Sequence, residues 1–506
     1  MWIVNKKKKS LNIFITGLIS QVVILLLGIV IPKLLIVSYG SEVNGLLSSI
    51  KQIFIYVALL EAGIGTAALQ AMYEPIAKSD KEKASQIMVA TDRYFKKTGF
   101  FYGIAVVLLA FLYPVIIKVD LEYWMVAVII LLQGSAGVIK YFFQGKLTIL
   151  LRVDGRSYVT TNIATIVNVL THLIQIILIL SGFDIIAVQI AYFIINLAQM
   201  LYLTWYVRKN YKWLNWHADP DYKALSQSKF VIIHQISGLI FNNTDVLILT
   251  YFCGLKVVSV YSLYSLIFNC VSNVIDTLCS SVEFILGQAF NSDRNYFMKL
   301  QETYETYYLG ISFGFFTITL IMFPSFIRLY SSGITDINYV DPILPYLFVA
   351  LNILMYARRT SSQIINFAGH FKQTQWRSVL ESFINLTVSL IMVYYLGIYG
   401  VLIGTIAALF YRTNDVIIYA NWNILGRKPW KTYRRWAVNL ITMVLLTVGI
   451  NTILGPITNY FQWVLNAVWV GIVCMGGIVV VDSIFDWKSF QMIKGMAVDT
   501  IKRKAR

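Results

Sequence analysis

Apolar runs about 20 residues long recur from one end of this sequence to the other, separated by short polar turns, and each is long enough to cross a bilayer as an α-helix. Inside hydrocarbon every backbone N–H and C=O must be satisfied by the chain itself, which leaves helices or a closed barrel as spanning structures. The runs are too long for barrel strands and do not alternate apolar with polar over about ten residues. We count fourteen, centred near Leu25, Tyr56, Ala105, Ile129, Leu170, Phe193, Leu239, Phe268, Gly314, Phe348, Leu390, Leu409, Leu445 and Val470. The expected fold class is an all-α polytopic membrane protein. Composition agrees: 58% of the 506 residues are hydrophobic and 13% charged, too little charge for a soluble protein of this length.

Charge tests the count independently. With the amino terminus in the cytoplasm, the segments on the inner side hold Lys6 to Lys9 and the basic residues of 78–97, 140–156, 208–229, 294–299, 358–377, 427–435 and 488–506, together 36 of the 42 Lys and Arg. The outer side holds Lys33, Lys51, Lys118, Lys256 and Arg328, and Arg412 lies deep in a span. Shifting one helix across the membrane scrambles this alternation, so fourteen spans with both termini cytoplasmic are expected. The formal charge of +17 then reports membrane orientation, not a nucleic-acid partner. The first apolar run is long and lacks a small-x-small cleavage site, which reads as an uncleaved first helix. Cys253, Cys270, Cys279 and Cys474 fall in or beside spans without ligand spacing and read as small packing residues.

An internal repeat divides the chain. YGSEVNGLLSSIKQIF, from Tyr39, and FCGLKVVSVYSLYSLIF, from Phe252, align at an offset of 214 through Gly40 and Gly254, Val43 and Val257, Ser48 and Ser262, Ile53 and Ile267, and Phe54 and Phe268. The same offset joins Gln21 to Gln235 and Gly155 to Gly369, and a one-residue slip joins Gly182 to Gly397. Two pseudo-symmetric six-helix lobes follow, residues 1–210 and 211–425, with two further helices and a basic cytoplasmic tail in 426–506. Six is even, so the repeat is parallel, and such halves can rock about a central site.

The polar residues inside spans carry the functional question. Glu61, in LLEAGIGTAAL, belongs to a run of small residues suited to close helix packing; a carboxylate at that depth faces a partner or water rather than lipid. It reads either as part of a polar passage or gate or as a structural hydrogen-bonding group. His234, Gln235, Asn242, Asn243, Asp245, Asn269 and Asp276 form a polar track on the seventh and eighth spans, and the offset sets Glu61 against Ile275, beside Asp276. Two carboxylates suit either proton or sodium coupling or the locking of helices. Arg412 and Asp415, three apart on one helix face, read as an internal pair or as an anion contact whose Arg is oriented by Asp415; Arg keeps its charge and its five donors at any pH. Lys140, Arg358 and Arg359 sit near the cytoplasmic ends of spans, where they either snorkel or, facing inward, draw in an anionic headgroup. His172 and His234 lack metal spacing and read as packing residues. No phosphate-binding loop, nucleotide fingerprint or zinc protease motif is present, so neither a cofactor nor direct use of ATP is expected.

Six helices, six more and two, together with LLEAGIGTAALQAMYEPIAKSD and FNNTDVLILTYFCGLKVVSVYSLYSLI, resemble the bacterial polysaccharide flippases of the multidrug, oligosaccharidyl-lipid and polysaccharide exporter superfamily. The resemblance covers essentially the whole chain. It implies a non-enzymatic protein of the cytoplasmic membrane that moves an undecaprenyl-pyrophosphate-linked oligosaccharide to the outer leaflet by alternating access, with polysaccharide polymerase and glycosyltransferase partners. It also implies a cavity lined chiefly by spans one, two, seven and eight, which selects Gln21, Glu61, His234, Gln235, Asn242, Asp245 and Asp276 as lining residues. Contacts to pyrophosphate then fall to Arg412, Lys140, Arg358 or Arg359. The competing expectation is a multidrug-type exporter of drugs or cations built on a deep acidic site; a membrane polymerase or ligase, which needs large outer loops, is a second.

Overall fold

The computed structural model describes residues 27–61, 64–117, 119–225 and 243–504. Among them every regular element is helical. In the first half these are α1 (Leu27–Tyr39), α2 (Ser41–Val57), a 3₁₀ turn (Ala58–Glu61), α3 (Ile64–Ala77), α4 (Lys81–Ile116), α5 (Tyr123–Val153), α6 (Ser157–Leu180), α7 (Ile185–Asn210) and α8 (243–252). The second half holds α9 (Leu255–Ser292), α10 (Arg294–Tyr330), α11 (Leu344–Ala357), α12 (Arg359–Phe367), α13 (Phe371–Leu396), α14 (Ile398–Leu425), α15 (Trp430–Ile453), α16 (Tyr460–Phe485) and α17 (Trp487–Lys504).

Ten of the described helices are long and apolar enough to cross a membrane. The other four expected spans have specific reasons for standing outside that set. Those centred at Leu25 and Leu239 lie largely or wholly outside the described residues. The span at Tyr56 is broken after Val57 by the 3₁₀ turn that ends on Glu61, and the span at Phe348 ends at Ala357 and restarts at Arg359. Irregular backbone at membrane depth is tolerated where protein or a polar cavity covers it, and at both breaks local bonds carry on the ladder, Ala58 N–H to Phe54 O and Arg358 N–H to Tyr356 O.

The outward faces are hydrocarbon. On α4, Ile104, Val107, Leu108, Phe111 and Val115 are exposed while Tyr102, Val106, Ala110 and Tyr113 are buried. That 3.6-residue segregation of two apolar stripes fits a helix with lipid on one side and protein on the other. At 36 residues α4 is about 54 Å long against a hydrocarbon core of about 30 Å; its charged first turns, Lys81 to Lys97, form the overhang. Asx caps start several of these helices: Asp80 accepts from the Lys83 amide at 3.0 Å, Asp184 from Ala187 at 2.8 Å, Asp293 from Asn295 at 2.9 Å and Asn459 from Gln462 at 2.8 Å, each satisfying a donor that the first turn leaves open.

Packing divides the chain into two compact units, Met1–Ser262 and Leu263–Arg506, the division falling within α9. In the first unit α4 packs on α5 and α3, and α7 on α5 and α6. One apolar cluster is centred on Met72, Met88, Phe95 and Leu150, and a second on Leu46, Ile50, Val126 and Ile129. Here the starts of α2 and α9 touch: Asn44 Nδ2 donates to Ser259 Oγ at 2.8 Å, and Gly45 lies so close to the Leu255 carbonyl that a β-carbon would collide with it. In the second unit α10 is the hub, contacting α11, α15, α16 and α17, while α13 and α14 form the tightest pair.

The glycines paired by the repeat share a backbone conformation. Gly40 and Gly254 have φ of 87° and 82°, Gly155 and Gly369 of 69° and 68°, and Gly182 and Gly397 of 78° and 54°. All six sit in turns between helices, in the region glycine enters without steric cost.

Charged groups tie α15–α17 to α10. Glu305, 1% exposed, accepts from Arg427 Nη2 and Arg435 Nη1, both at 2.6 Å, and from the Thr432 hydroxyl. Glu302 pairs with Arg427 at 3.1 Å and Lys431 at 2.7 Å. Asp486 takes the other side of Arg435 at 2.5 Å and the Thr306 hydroxyl at 2.9 Å. Burial pushes the Asp486 carboxyl up, but the Arg435 fork and the hydroxyls outweigh it and hold the group below the usual carboxylate range.

Candidate functional site

A polar cavity of about 830 Å³ lies within the first unit, lined mainly by α2, α5, α6 and α7. On α5 its lining runs through Gln133, Lys140, Gln144 and Thr148, positions that share one helical face. A single π turn, Lys140–Gln144, interrupts that helix and turns Tyr141 toward the cavity as well. Opposite stand Thr160, Asn168, Thr171, His172 and Gln175 of α6 and Gln189, Tyr192, Asn196 and Gln199 of α7. Gln133 Nε2 donates to Gln189 Oε1 at 3.2 Å, and His172 Nδ1 lies 3.3 Å from Gln175 Oε1. Among the described residues Lys51 of α2 joins Lys140 as a second cation of the lining, and none of them in the lining is a carboxylate. Amides and hydroxyls offer donors and acceptors together, and the two ammonium groups make the site one for a polar, anionic guest.

Glu61 is adjacent. The Tyr141 hydroxyl hydrogen-bonds its carboxylate, and Lys140 is its cationic neighbour. A side chain on Gly65, one turn along α3, would meet Glu61 Oε1 at 2.9 Å, so the small residues after Glu61 make room for it. The structure thus brings two sequence candidates, Glu61 and Lys140, to the same place.

The described part of the polar track is differently occupied. Gln52 donates to Asn243, Tyr56 and Thr244 hydroxyls lie 2.6 Å apart, and Ser49 accepts from Tyr113 at 2.9 Å and Thr250 at 3.0 Å. The bonds to Asn243, Thr244 and Thr250 form a seam between α2 and α8, and Tyr113 adds a tie from α4. Asp245, buried, accepts from the Tyr261 hydroxyl at 3.0 Å. Gln21, His234, Gln235 and Asn242 lie outside the described residues.

In the second unit the candidate cations are paired with carboxylates. Arg359 meets Asp276 at 2.5 Å and Glu283 at 3.4 Å, and Tyr356 adds a 3.0 Å bond to Asp276. Arg358 meets Glu381 at 2.5 Å. Arg412, 8% exposed, binds Asp415 at 2.6 Å, Glu381 at 3.5 Å and the Ser378 hydroxyl at 3.1 Å, while Arg377 takes the second oxygen of Asp415. Arg412 and Asp415 are thus bonded to each other within a larger cluster. An Arg so engaged gives up a buried bond before it can clamp a phosphate, a cost of order 3–5 kcal/mol where the abandoned carboxylate stays buried. Beside this unit's α10, α11 and α15 runs an apolar groove of about 760 Å³, lined by residues such as Leu320, Ile353, Leu440 and Val444.

Sequence reasoning missed most of the cavity lining. Gln133, Asn168, Gln189 and Asn196 were visible only as isolated amides inside apolar runs, and Lys51 was counted with the outer-side cations.

The chain matches no family model and no curated protein. Among solved structures it resembles the lipid II flippase MurJ in an inward closed conformation, with a TM-score of 0.69 and 14% identity over 94% of this chain and 99% of that one. It also resembles an inward-facing multidrug resistance MATE family transporter of the MOP superfamily, with a TM-score of 0.64 and 17% identity over 79% of this chain and 95% of that one. At such identities the likeness is one of fold. This is a multi-span membrane protein with the fold of MOP-superfamily transporters.

Proposed function

We propose that this chain is a flippase that carries an undecaprenyl-pyrophosphate-linked oligosaccharide from the cytoplasmic to the outer leaflet of a bacterial cytoplasmic membrane, by alternating access and without chemical conversion. The observation that carries the reading is the cavity of the first unit, whose described lining has two lysines, many amides and hydroxyls, and no carboxylate. A sugar chain wants paired donors and acceptors, a pyrophosphate wants fixed positive charge, and a cationic drug wants the acid that this lining lacks. Glu61, beside the cavity, has Lys140 as its cationic neighbour, and Asp276 is paired with Arg359.

The isoprenoid tail of such a substrate gains free energy from any apolar wall, lipid included, and needs no polar contact. The matched solved structures support the same class of activity, one being a lipid flippase and the other a transporter. On this reading the chain has fourteen spans, lobes at 1–210 and 211–425, an appended pair of spans in 426–506, and both termini in the cytoplasm; the six matched glycines of shared conformation support the repeat. Lys140 and Lys51 take the pyrophosphate, the amides of α5–α7 take the sugars, and Arg358, Arg359 and Arg412 hold helices together. Polysaccharide polymerases and glycosyltransferases are its partners in envelope polymer synthesis.

The test is transport by purified protein in liposomes, comparing a lipid-linked oligosaccharide with small cationic drugs under imposed proton and sodium gradients. Movement of the lipid-linked sugar without conversion supports the proposal. Exchange of drugs alone sinks it in favour of a multidrug-type exporter.

A further inference from the structure

The charged network on α10 contains one carboxylate that its cations do not serve. Asp482, on α16, is 3% exposed. Its Oδ1 accepts from Asn439 Nδ2 at 3.0 Å, and its Oδ2, buried, has no hydrogen-bond partner. That second oxygen rests against Gly310 of α10, where any β-carbon would overlap it. The neighbouring cation, Arg435, is already committed: Nη1 to Glu305 at 2.6 Å, and Nη2 and Nε to Asp486 at 2.5 and 3.2 Å. Arg427 and Lys431 are committed to Glu302 and Glu305.

The groups around the site, element by element, are Glu302, Glu305 and Thr306 on α10, Arg427 before α15, Lys431, Arg435 and Asn439 on α15, and Asp482 and Asp486 at the end of α16. Four carboxylates therefore face three cations. Three are paired directly by Arg or Lys, and the fourth, buried, holds a single neutral hydrogen bond and makes no ion pair of its own. An ionised carboxylate so buried, with its neighbouring Arg435 bonded to other acids, is costly to keep charged. One bound proton makes the network neutral.

We propose that Asp482 is a proton-binding site, filled while α16 is docked on α10 at Gly310 and emptied when the two separate. The step is a simple exchange: a proton from water adds to Asp482 Oδ2 on docking and returns to water on separation, with no other bond made or broken. Because the last two spans carry the site, the proton's position reports and biases their contact with α10. This gives the transporter a route to proton coupling through its appended helices, independent of the substrate cavity.

The experiment is infrared difference spectroscopy of the full chain in lipid nanodiscs, in H₂O and D₂O, across a pH series. Wild type is expected to show a carboxylic-acid C=O band at neutral pH that shifts on deuteration and disappears as pH rises. Asp482→Asn, which mimics the neutral acid in shape, is expected to lose that band while keeping the wild-type melting temperature. Asn439→Leu, which removes the donor to Oδ1, is expected to keep the band and shift its frequency. A spectrum unchanged by Asp482→Asn overturns the proposal; should that variant not fold, a band unmoved by Asn439→Leu does the same. The readout uses no substrate, so its failure and the failure of the flippase reading are separate results.

Discussion

Replacing Lys51 by Gln removes one of the two positive charges from the cavity lining while keeping a side chain of similar reach. The polar contacts that seat α2 are made by Ser49, Gln52 and Tyr56, so the fold is expected to survive. A hydrogen bond to a charged group contributes about 1.5–3 kcal/mol, or roughly 10- to 150-fold in affinity. Lys51 and Lys140 are both exposed, and water in the cavity screens them, so the lower end applies. Lys51→Gln and Lys140→Gln are each expected to raise the half-saturating concentration of a pyrophosphate-linked oligosaccharide roughly tenfold in proteoliposomes. If both lysines hold one pyrophosphate, the double variant departs from the product of the single effects. Lys140 also faces Glu61, so its variant is expected to change the pH dependence of transport where Lys51→Gln does not. Unchanged half-saturation in both single variants, with the protein folded and transporting, refutes the assignment of the cavity to the anionic headgroup.

Glu61→Gln keeps an acceptor for the Tyr141 hydroxyl and is expected to fold normally while flattening the pH profile of transport; an unaltered profile returns Glu61 to a packing role. Gly45→Ala drives a methyl into the Leu255 carbonyl and is expected to destabilise the chain by about 1–3 kcal/mol, read as a lower unfolding midpoint; an unchanged midpoint means that α2 and α9 are not in contact there. For Asp486, whose pKa is depressed in the folded chain, the stabilisation is present above the unfolded value of about 4 and is lost as pH falls through the lower folded value. The stability gap between wild type and Asp486→Asn is accordingly expected to be constant above about pH 5 and to close below about pH 4; a gap that widens on acidification contradicts the Arg435 pairing.

Span length and the matched glycines are legible in sequence because each answers to a local rule: hydrocarbon thickness sets the one, and backbone sterics at a left-handed turn set the other. The backbone of Gly155 and Gly369, at φ of 69° and 68°, is the sort of requirement a single residue type discloses. Helix rotation is not legible in that way. Gln133 and Gln189 meet because α5 and α7 turn those faces together, and a hydropathy window averages both amides into apolar runs. The surroundings of the breaks at Glu61 and Arg358 are equally hidden, since the side chains that meet these residues, Tyr141 for the one and Glu381 for the other, are distant in sequence. Arg412 shows the limit from the other side. The spacing to Asp415 is readable, but Glu381, Arg377 and Ser378, which complete its surroundings, come from another helix.

The π turn of α5 has a consequence for how this cavity can change over evolutionary time. A π turn is an α-helix carrying one surplus residue, and removing one residue between Lys140 and Gln144 restores the ordinary helix. Each residue of an α-helix advances the direction of its side chains by about 100°. A deletion in a regular turn therefore swings everything beyond it round, whereas the wide turn takes up its surplus residue locally, so that losing it leaves the Gly145–Val153 segment facing nearly as before, with Thr148 still on the lining. The π turn is thus a place where α5 can gain or lose a residue while the wall beyond it keeps its aim.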